Sequence, residues 1–354
     1  MTNDENSKRS DLSLQTGDLP PVEPPADVPE IQRGNWIALP HEDPVTRHLT
    51  ETLWTSSTPA ESWELSRLSS AAYVYRETST GWSVVAKFYA VKTGSSAHDY
   101  AVRERDRIRE IQAKGLADEE ARPVDPLGLW RGVLFLEYVP GLTLENIISV
   151  RHSQPGRLNQ ALRWASRFLA KLHVRTLREE EPPDFSSAVD YTHGVVRELA
   201  KYGVLHHYPI AQDGLRRLID RWADRPQMVD FMPSLVHRDT TTTNFVFPDA
   251  GGVVVVDWER LYPGDPAFDL GRLMAEVTHS INQHGGSVAE AESYVQNLVD
   301  DYCRALPEAW DGDSLVNRAR FYRASSTLRI ARNGWVSRLD RTALVAQAMA
   351  LLAD

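Results

Sequence analysis

The sequence predicts an α+β fold in two lobes, a small β-rich N-terminal lobe and a larger helical C-terminal lobe. Three observations carry that prediction. Residues 63–138 read mainly as strands, with alternating apolar and polar positions and one helix among them. After Gly141 the apolar spacing turns helical, as in Leu162, Ala165, Phe168, Leu169 and Leu172. Within that helical part, residues 235–259 form a small β-rich insert with polar residues in it. A chain of 354 residues is long enough to give each lobe a core of its own.

The elements follow in order. Residues 1–35, which include DLPPVEPPADVPE, are rich in Pro, Asp, Glu, Ser and Asn. They hold too little apolar surface to offset the entropy of ordering, so they are expected to be a disordered tail. Residues 36–62 form an N-terminal helical extension, with a helix over DPVTRHLTETLW at 43–54. WELSRL and YVYRET, joined by the short link SSAA, predict a hairpin. WSVVAKFYAV, 82–91, is β-branched and aromatic, the composition of a third strand. Residues 97–114 read as a helix that stops at Gly115, and 132–139 as a buried strand ended by Pro-Gly. The helical C-lobe, 139–354, has tracts at roughly 184–226, 268–306 and 313–352, with VVVVDWE, 253–259, as a short strand ending in acids.

Composition narrows the function. A formal net charge of −10 argues against a nucleic-acid binder. Cys303 is the lone cysteine, so internal disulfides and cysteine-rich metal sites are excluded. The first thirty residues are polar, unlike a signal peptide, and the longest apolar tract, ALVAQAMALLA, is too short and broken to span a bilayer. The expected setting is the cytoplasm, with no membrane partner.

The chemistry lies in LVHRDTTTTNFVF, 235–247, and VVVVDWE. Asp239 and Asn244 stand five apart, and Asp257 follows thirteen residues later at the end of an apolar strand. Mg²⁺ takes oxygen ligands, few of them from protein carboxylates, and Asn244 and Asp257 suit it. Asp239 suits a base that takes the proton of a hydroxyl attacking phosphorus. Phosphoryl transfer asks the protein for such positioning, metal ions and a nucleophile-orienting base.

HRDTTTTN resembles the H-x-D-x-x-x-x-N catalytic loop of the protein-kinase-like superfamily. VVVVDWE then takes the place of its metal-binding aspartate segment, with Trp258 and Glu259 where Phe and Gly often stand. GDPAFDLGRL, 264–273, resembles the aminoglycoside phosphotransferase and choline kinase branch. The likeness covers about 63–275 and implies a two-lobed protein-kinase-like fold with 63–138 as the nucleotide-binding lobe. It implies a small-molecule kinase that transfers the γ-phosphate of ATP, with Mg²⁺, to a hydroxyl of a small acceptor. GTP is left open as an alternative. The acceptors it suggests are aminoglycosides and other antibiotics, amino alcohols or sugars. Too few residues separate DWE from GDPAFDL for an activation segment, which disfavours protein substrates. Asp269 is expected to brace the loop by hydrogen bonds, and His237 to be structural.

Such a nucleotide-binding lobe needs a lysine for the α- and β-phosphates and a helix acid to hold it. Lys87 sits in VVAKFYA between apolar neighbours. In the helix that follows, Ala97, Tyr100, Ala101, Ile108 and Ile111 form the apolar face, and Glu104 falls in its middle. An inward carboxylate needs a cation, and Lys87 is the one the resemblance supplies. Ser69 and Ser70, in a link without glycine, stand where the family covers the phosphates. The backbone at Glu137 and Val139 would meet the adenine edge. His173 reads as a helix-end residue. Two rival readings remain: a catalytically silent nucleotide-binding module, which the glycine-free link favours slightly, and a nucleotidyl transferase on the same fold.

Overall fold

The computed structural model describes residues 21–24, 36–40, 42–57, 59–89, 96–178, 180, 182–205 and 209–353. It divides into two units, Met1–Glu110 with Val124–Pro140, and Ile111–Pro123 with Gly141–Asp354.

The first unit is built on one antiparallel sheet. Strand β1 (Ile37–Ala38) is followed by helix α1 (Pro44–Thr52), then β2 (Trp63–Arg67), β3 (Ala72–Glu77) and β4 (Ser83–Phe88). Helix α2 (Ala97–Ala113) comes next. The chain then crosses the short β5 (Ala121–Pro123), which belongs to the second unit, and returns as β6 (Pro126–Trp130) and β7 (Val133–Glu137). The sheet order is β1-β2-β3-β4-β7-β6. Asp43 caps α1 by accepting from the Val45 and Thr46 N–H groups at 3.0 and 2.9 Å, and Pro44 starts the helix where no N–H is needed. The helix buries Val45 and Leu49 against Leu65, Tyr75, Ala86 and Phe135, so the 36–62 extension contributes to this core. Of the stretch read as a tail, residues 21–24 are described: the Val22 N–H donates to Arg131 O at 3.0 Å, and its side chain packs on the same core. The rest of 1–35, and residues 90 and 91 at the end of the expected third strand, lie outside the described residues.

The second unit is mainly helical. Residues 111–123 belong here because β5 pairs in parallel with a strand far along the chain, Val253–Val255. Strand β8 (Gly141–Thr143) leads into α3 (Leu144–Ser149), which Thr143 and Asn146 cap reciprocally. Then come α4 (Pro155–Arg175), α5 (Ser186–Lys201) and α6 (Pro209–Ala223). The β-insert holds β9 (Ser234–Val236), β10 (Phe245–Pro248), β11 (Val253–Val255) and β12 (Tyr262–Gly264). Its strands form a sheet β5-β11-β10-β8 and a separate antiparallel pair β12-β9. Helices α7 (Ala267–Gln283), α8 (Val288–Ala305), α9 (Gly312–Arg332) and α10 (Arg338–Ala353) complete the unit. The expected tracts 184–226, 268–306 and 313–352 are therefore each two helices, broken by turns. Gly271 sets the crossing of α7 and α9: a Cβ there would stand 2.4 Å from Ala319 O and 2.8 Å from Arg323 N. Among the described residues, no helix is long and apolar enough to cross a membrane.

Candidate active site

In the first unit, β4 alternates faces, with Val84, Ala86 and Phe88 buried in the core and Lys87 on the other side. On α2 the stripe Ala97, Ala101, Ile108 and Ile111 is buried, Tyr100 is half-buried, and Glu104 is 0% exposed. The two lines of side chains bring Lys87 Nζ to 2.7 Å from Glu104 Oε2. Tyr89, which the sequence reading passed over, donates its hydroxyl to the same Oε2, and its ring lies 5.4 Å from Lys87 Nζ. A buried carboxylate needs such partners, since removing one leaves an uncompensated charge.

The link between β2 and β3 is held by its own turn. Ser69 Oγ accepts from the Ala71 and Ala72 N–H groups at 3.3 and 3.1 Å, which leaves its hydroxyl hydrogen as the donor. Ser70 is exposed beside it. At the end of β7, the Glu137 N–H donates to Asp125 O at 3.0 Å, and Glu137 Oε1 accepts from the Asp125 N–H at 2.8 Å. Val139 follows, half-buried.

In the second unit the polar loop 237–244 runs between β9 and β10. Asp269, in the first turn of α7, is fully buried and fixes it from below. Its Oδ2 accepts from the His237 N–H at 2.6 Å and its Oδ1 from the Arg238 N–H at 2.9 Å. His173, in the last turn of α4, places Nε2 at 3.2 Å from Asp269 Oδ2 and Nδ1 at 2.7 Å from the Tyr302 hydroxyl. Burial works against the Asp269 charge, but the bond and charge of His173 and the Arg238 N–H hold its carboxyl below the usual carboxylate range. Arg238 takes a left-handed backbone, φ 63°, a conformation these bonds help to maintain.

His237 is buried and structural. Its Nε2 lies 3.0 Å from the Val256 carbonyl, which can only accept, so Nε2 carries the proton. Nδ1 then accepts from the Asp239 N–H at 3.2 Å. Its ring lies 4.4 Å from that of the fully buried Trp258.

Asp239 and Asn244 are joined directly: Asn244 Nδ2 donates to Asp239 O at 2.8 Å. The Asn244 amide oxygen is thereby the atom left for a cation. Asn244 and Val256 close the β10–β11 hairpin, with the Val256 N–H on Asn244 O at 3.0 Å, and Asp257 follows in the left-handed region at φ 67°. The loop thus places an amide oxygen and a carboxylate at one end of one hairpin, a hard-oxygen donor set of the kind Mg²⁺ takes. Thr242 donates to Glu145 Oε2 at 2.6 Å and ties the loop to α3.

The Asp239 carboxylate is half-buried and has two cationic neighbours. Arg272 Nη2 of α7 donates to Oδ1, and Arg260 Nε stands 3.8 Å from Oδ2. Neither arginine was singled out from sequence. The signal for Arg272 was present: it is a charge one turn beyond Asp269 in the otherwise apolar run LGRLMA.

Among solved structures the chain is similar to the streptomycin–ATP ternary complex of APH(2″)-IIa, at 13% identity and a TM-score of 0.54, covering 89% of this chain and 97% of that one. It is similar to choline kinase LicA from Streptococcus pneumoniae, at 15% identity and a TM-score of 0.50, covering 86% and 97%. An ethanolamine kinase from Plasmodium vivax matches at 13% identity and a TM-score of 0.50, covering 81% of each chain. These likenesses establish the two-lobed kinase-like fold. No curated protein matches the sequence. The model of the phosphotransferase enzyme family matches residues 64–313, about half of the first unit and most of the second, and the chain belongs to that family.

Proposed function

We propose that this phosphotransferase is a small-molecule kinase that moves the γ-phosphate of ATP to an alcohol. The observation that supports it most is the hairpin end that carries Asn244 and Asp257, with Asn244 bonded to Asp239 and the loop braced by the buried Asp269. In this reading Asp239 orients the acceptor hydroxyl and takes its proton. The acceptor oxygen forms a bond to the γ-phosphorus, the bond from that phosphorus to the bridging oxygen breaks, and ADP leaves. Asn244, through its amide oxygen, and Asp257 would hold Mg²⁺, which offsets phosphate charge when bound.

The first unit supplies the nucleotide's other contacts. Lys87, held by Glu104 and Tyr89, pairs with the α- and β-phosphates. Ser69 and Ser70 donate to phosphate oxygens, and the Glu137 carbonyl and Val139 N–H meet the base edge. APH(2″)-IIa binds streptomycin and ATP, and two others of the similar structures are a choline kinase and an ethanolamine kinase. The acceptor here is accordingly a hydroxylated antibiotic, an amino alcohol or a sugar.

A panel of such compounds, screened for acceptor-dependent ADP release from Mg-ATP, tests the reading. Asp239→Asn should lower turnover by about 10²–10⁴-fold, the range for loss of a general base. A folded Asp239→Asn protein with wild-type turnover would remove Asp239 from the role.

A further inference from the structure

We infer that Arg272 is a positioning residue that sets which oxygen of Asp239 does the work. The inference rests on the assignment of Asp239 as base.

Helix α7 carries Asp269, Arg272 and Glu276 at intervals of three and four, so they share one face. Asp269 holds the backbone of the loop. Arg272, one turn on, reaches the side chain of the base. Only 5% of Arg272 is exposed, and its Nη2 donates to Asp239 Oδ1. The other oxygen, Oδ2, has Arg260 Nε at 3.8 Å, beyond hydrogen-bond reach. One oxygen is thereby occupied and the other is available to a hydroxyl.

Glu276 pairs with Arg329 of α9 and lies close enough to Arg272 for their charges to interact. The result is a buried series of alternating sign, Asp239, Arg272, Glu276 and Arg329, spanning the α7–α9 crossing that Gly271 permits. A surface ion pair would let the carboxylate turn. A guanidinium that is buried on a packed helix holds it in place.

The geometry also differs from that of a pair made for stability alone. Such a pair would use the guanidinium fork on both carboxylate oxygens. Here Arg272 engages one oxygen through one nitrogen, and among the described residues its buried Nε has no partner. Fold stability gains little from that arrangement, whereas a base needs one oxygen kept available in a fixed direction. A misplacement of about 1 Å at a reacting group can cost about 10²-fold in rate.

The test uses the full chain with Mg-ATP and water as acceptor, reading ADP release, together with crystal structures of the variants. Arg272→Met should lower kcat about 10–100-fold with the KM for ATP within about twofold, because the nucleotide contacts are untouched. Arg272→Lys keeps the charge without the planar fork and should recover part of the loss. Combined with Asp239→Asn, Arg272→Met should cost nothing further, since it acts through that carboxylate. The crystal structure of Arg272→Met, or of Arg272→Lys if the former does not fold, should show the Asp239 carboxylate turned. Wild-type kcat, an additive loss in the double variant, or an Asp239 carboxylate unmoved in the variant crystal would each overturn the inference. If Asp239→Asn alone leaves hydrolysis unchanged, the base assignment fails instead. The Asp239 orientation in the variant crystal then decides the role of Arg272.

Discussion

Replacing Asp269 by Asn changes one atom and tests whether this buried acid is the keystone of the loop. Asp269 Oδ2 accepts from the His237 N–H at 2.6 Å and faces His173 Nε2 at 3.2 Å, while Oδ1 accepts from the Arg238 N–H at 2.9 Å. An amide has one oxygen. Whichever way it turns, its NH₂ meets a backbone N–H that also donates. One charge-assisted bond is lost, about 1.5–3 kcal/mol, and one buried donor is left unsatisfied, about 1–3 kcal/mol. Their sum, about 2.5–6 kcal/mol, is a large share of a typical domain stability of about 5–15 kcal/mol. Urea unfolding should show the midpoint falling with the slope unchanged. Hydrogen exchange should quicken at His237 and Arg238 before it does in α4 or α8. A variant within about 1 kcal/mol of wild type, with the loop equally protected, would refute the keystone reasoning.

Three further outcomes follow from the same structure. Gly271→Ala drives a methyl into the backbone of α9, so it should destabilise the second unit by about 1–3 kcal/mol, and a neutral result would mean the helices can part freely. Lys87→Met should cost about 3–5 kcal/mol by leaving Glu104 buried without its cation, and adding Glu104→Gln should restore much of it; additive losses in thermal melts would show that the two are not one unit. His48 lies against Trp130, with ring centroids 4.5 Å apart, and burial lowers its pKa from 6.5 to about 4. Below pH 6.5 the unfolded chain takes up a proton that the folded one resists, so stability should fall as pH drops from 6.5 toward 4. His48→Phe should flatten that slope in pH-dependent melts, and an unchanged slope would assign it to other groups.

Sequence made the loop 237–244 legible because its residues are close along the chain. His237, Asp239, Asn244 and Asp257 span twenty-one positions and carry their spacing with them. Glu104 was legible for a different reason: a lone acid in an apolar helical stripe must meet a cation, and Lys87 is 17 residues away. The contact between Arg272 and Asp239 crosses 33 positions and that between Thr242 and Glu145 crosses 97, and no periodicity links such pairs. Tyr89 looked like strand filling until its hydroxyl was seen on Glu104. Strands of three residues, such as β5, β8, β9 and β12, are too short to show alternation, and their pairings decide them. Helix breaks at Gly285 and Gly286 were written in the sequence but were read through as one tract.

The most direct test of the central claim follows the fate of the nucleotide's phosphates. The protein is incubated with Mg²⁺ and ATP labelled in the γ-phosphate, together with the hydroxylated panel, and the products are resolved by mass spectrometry. The account predicts that the label appears as a phosphate ester on an alcohol oxygen, that unlabelled ADP forms in equal amount, and that Asp239→Asn suppresses both. Transfer of AMP to the acceptor, or label transfer that Asp239→Asn leaves at the wild-type rate, would contradict it.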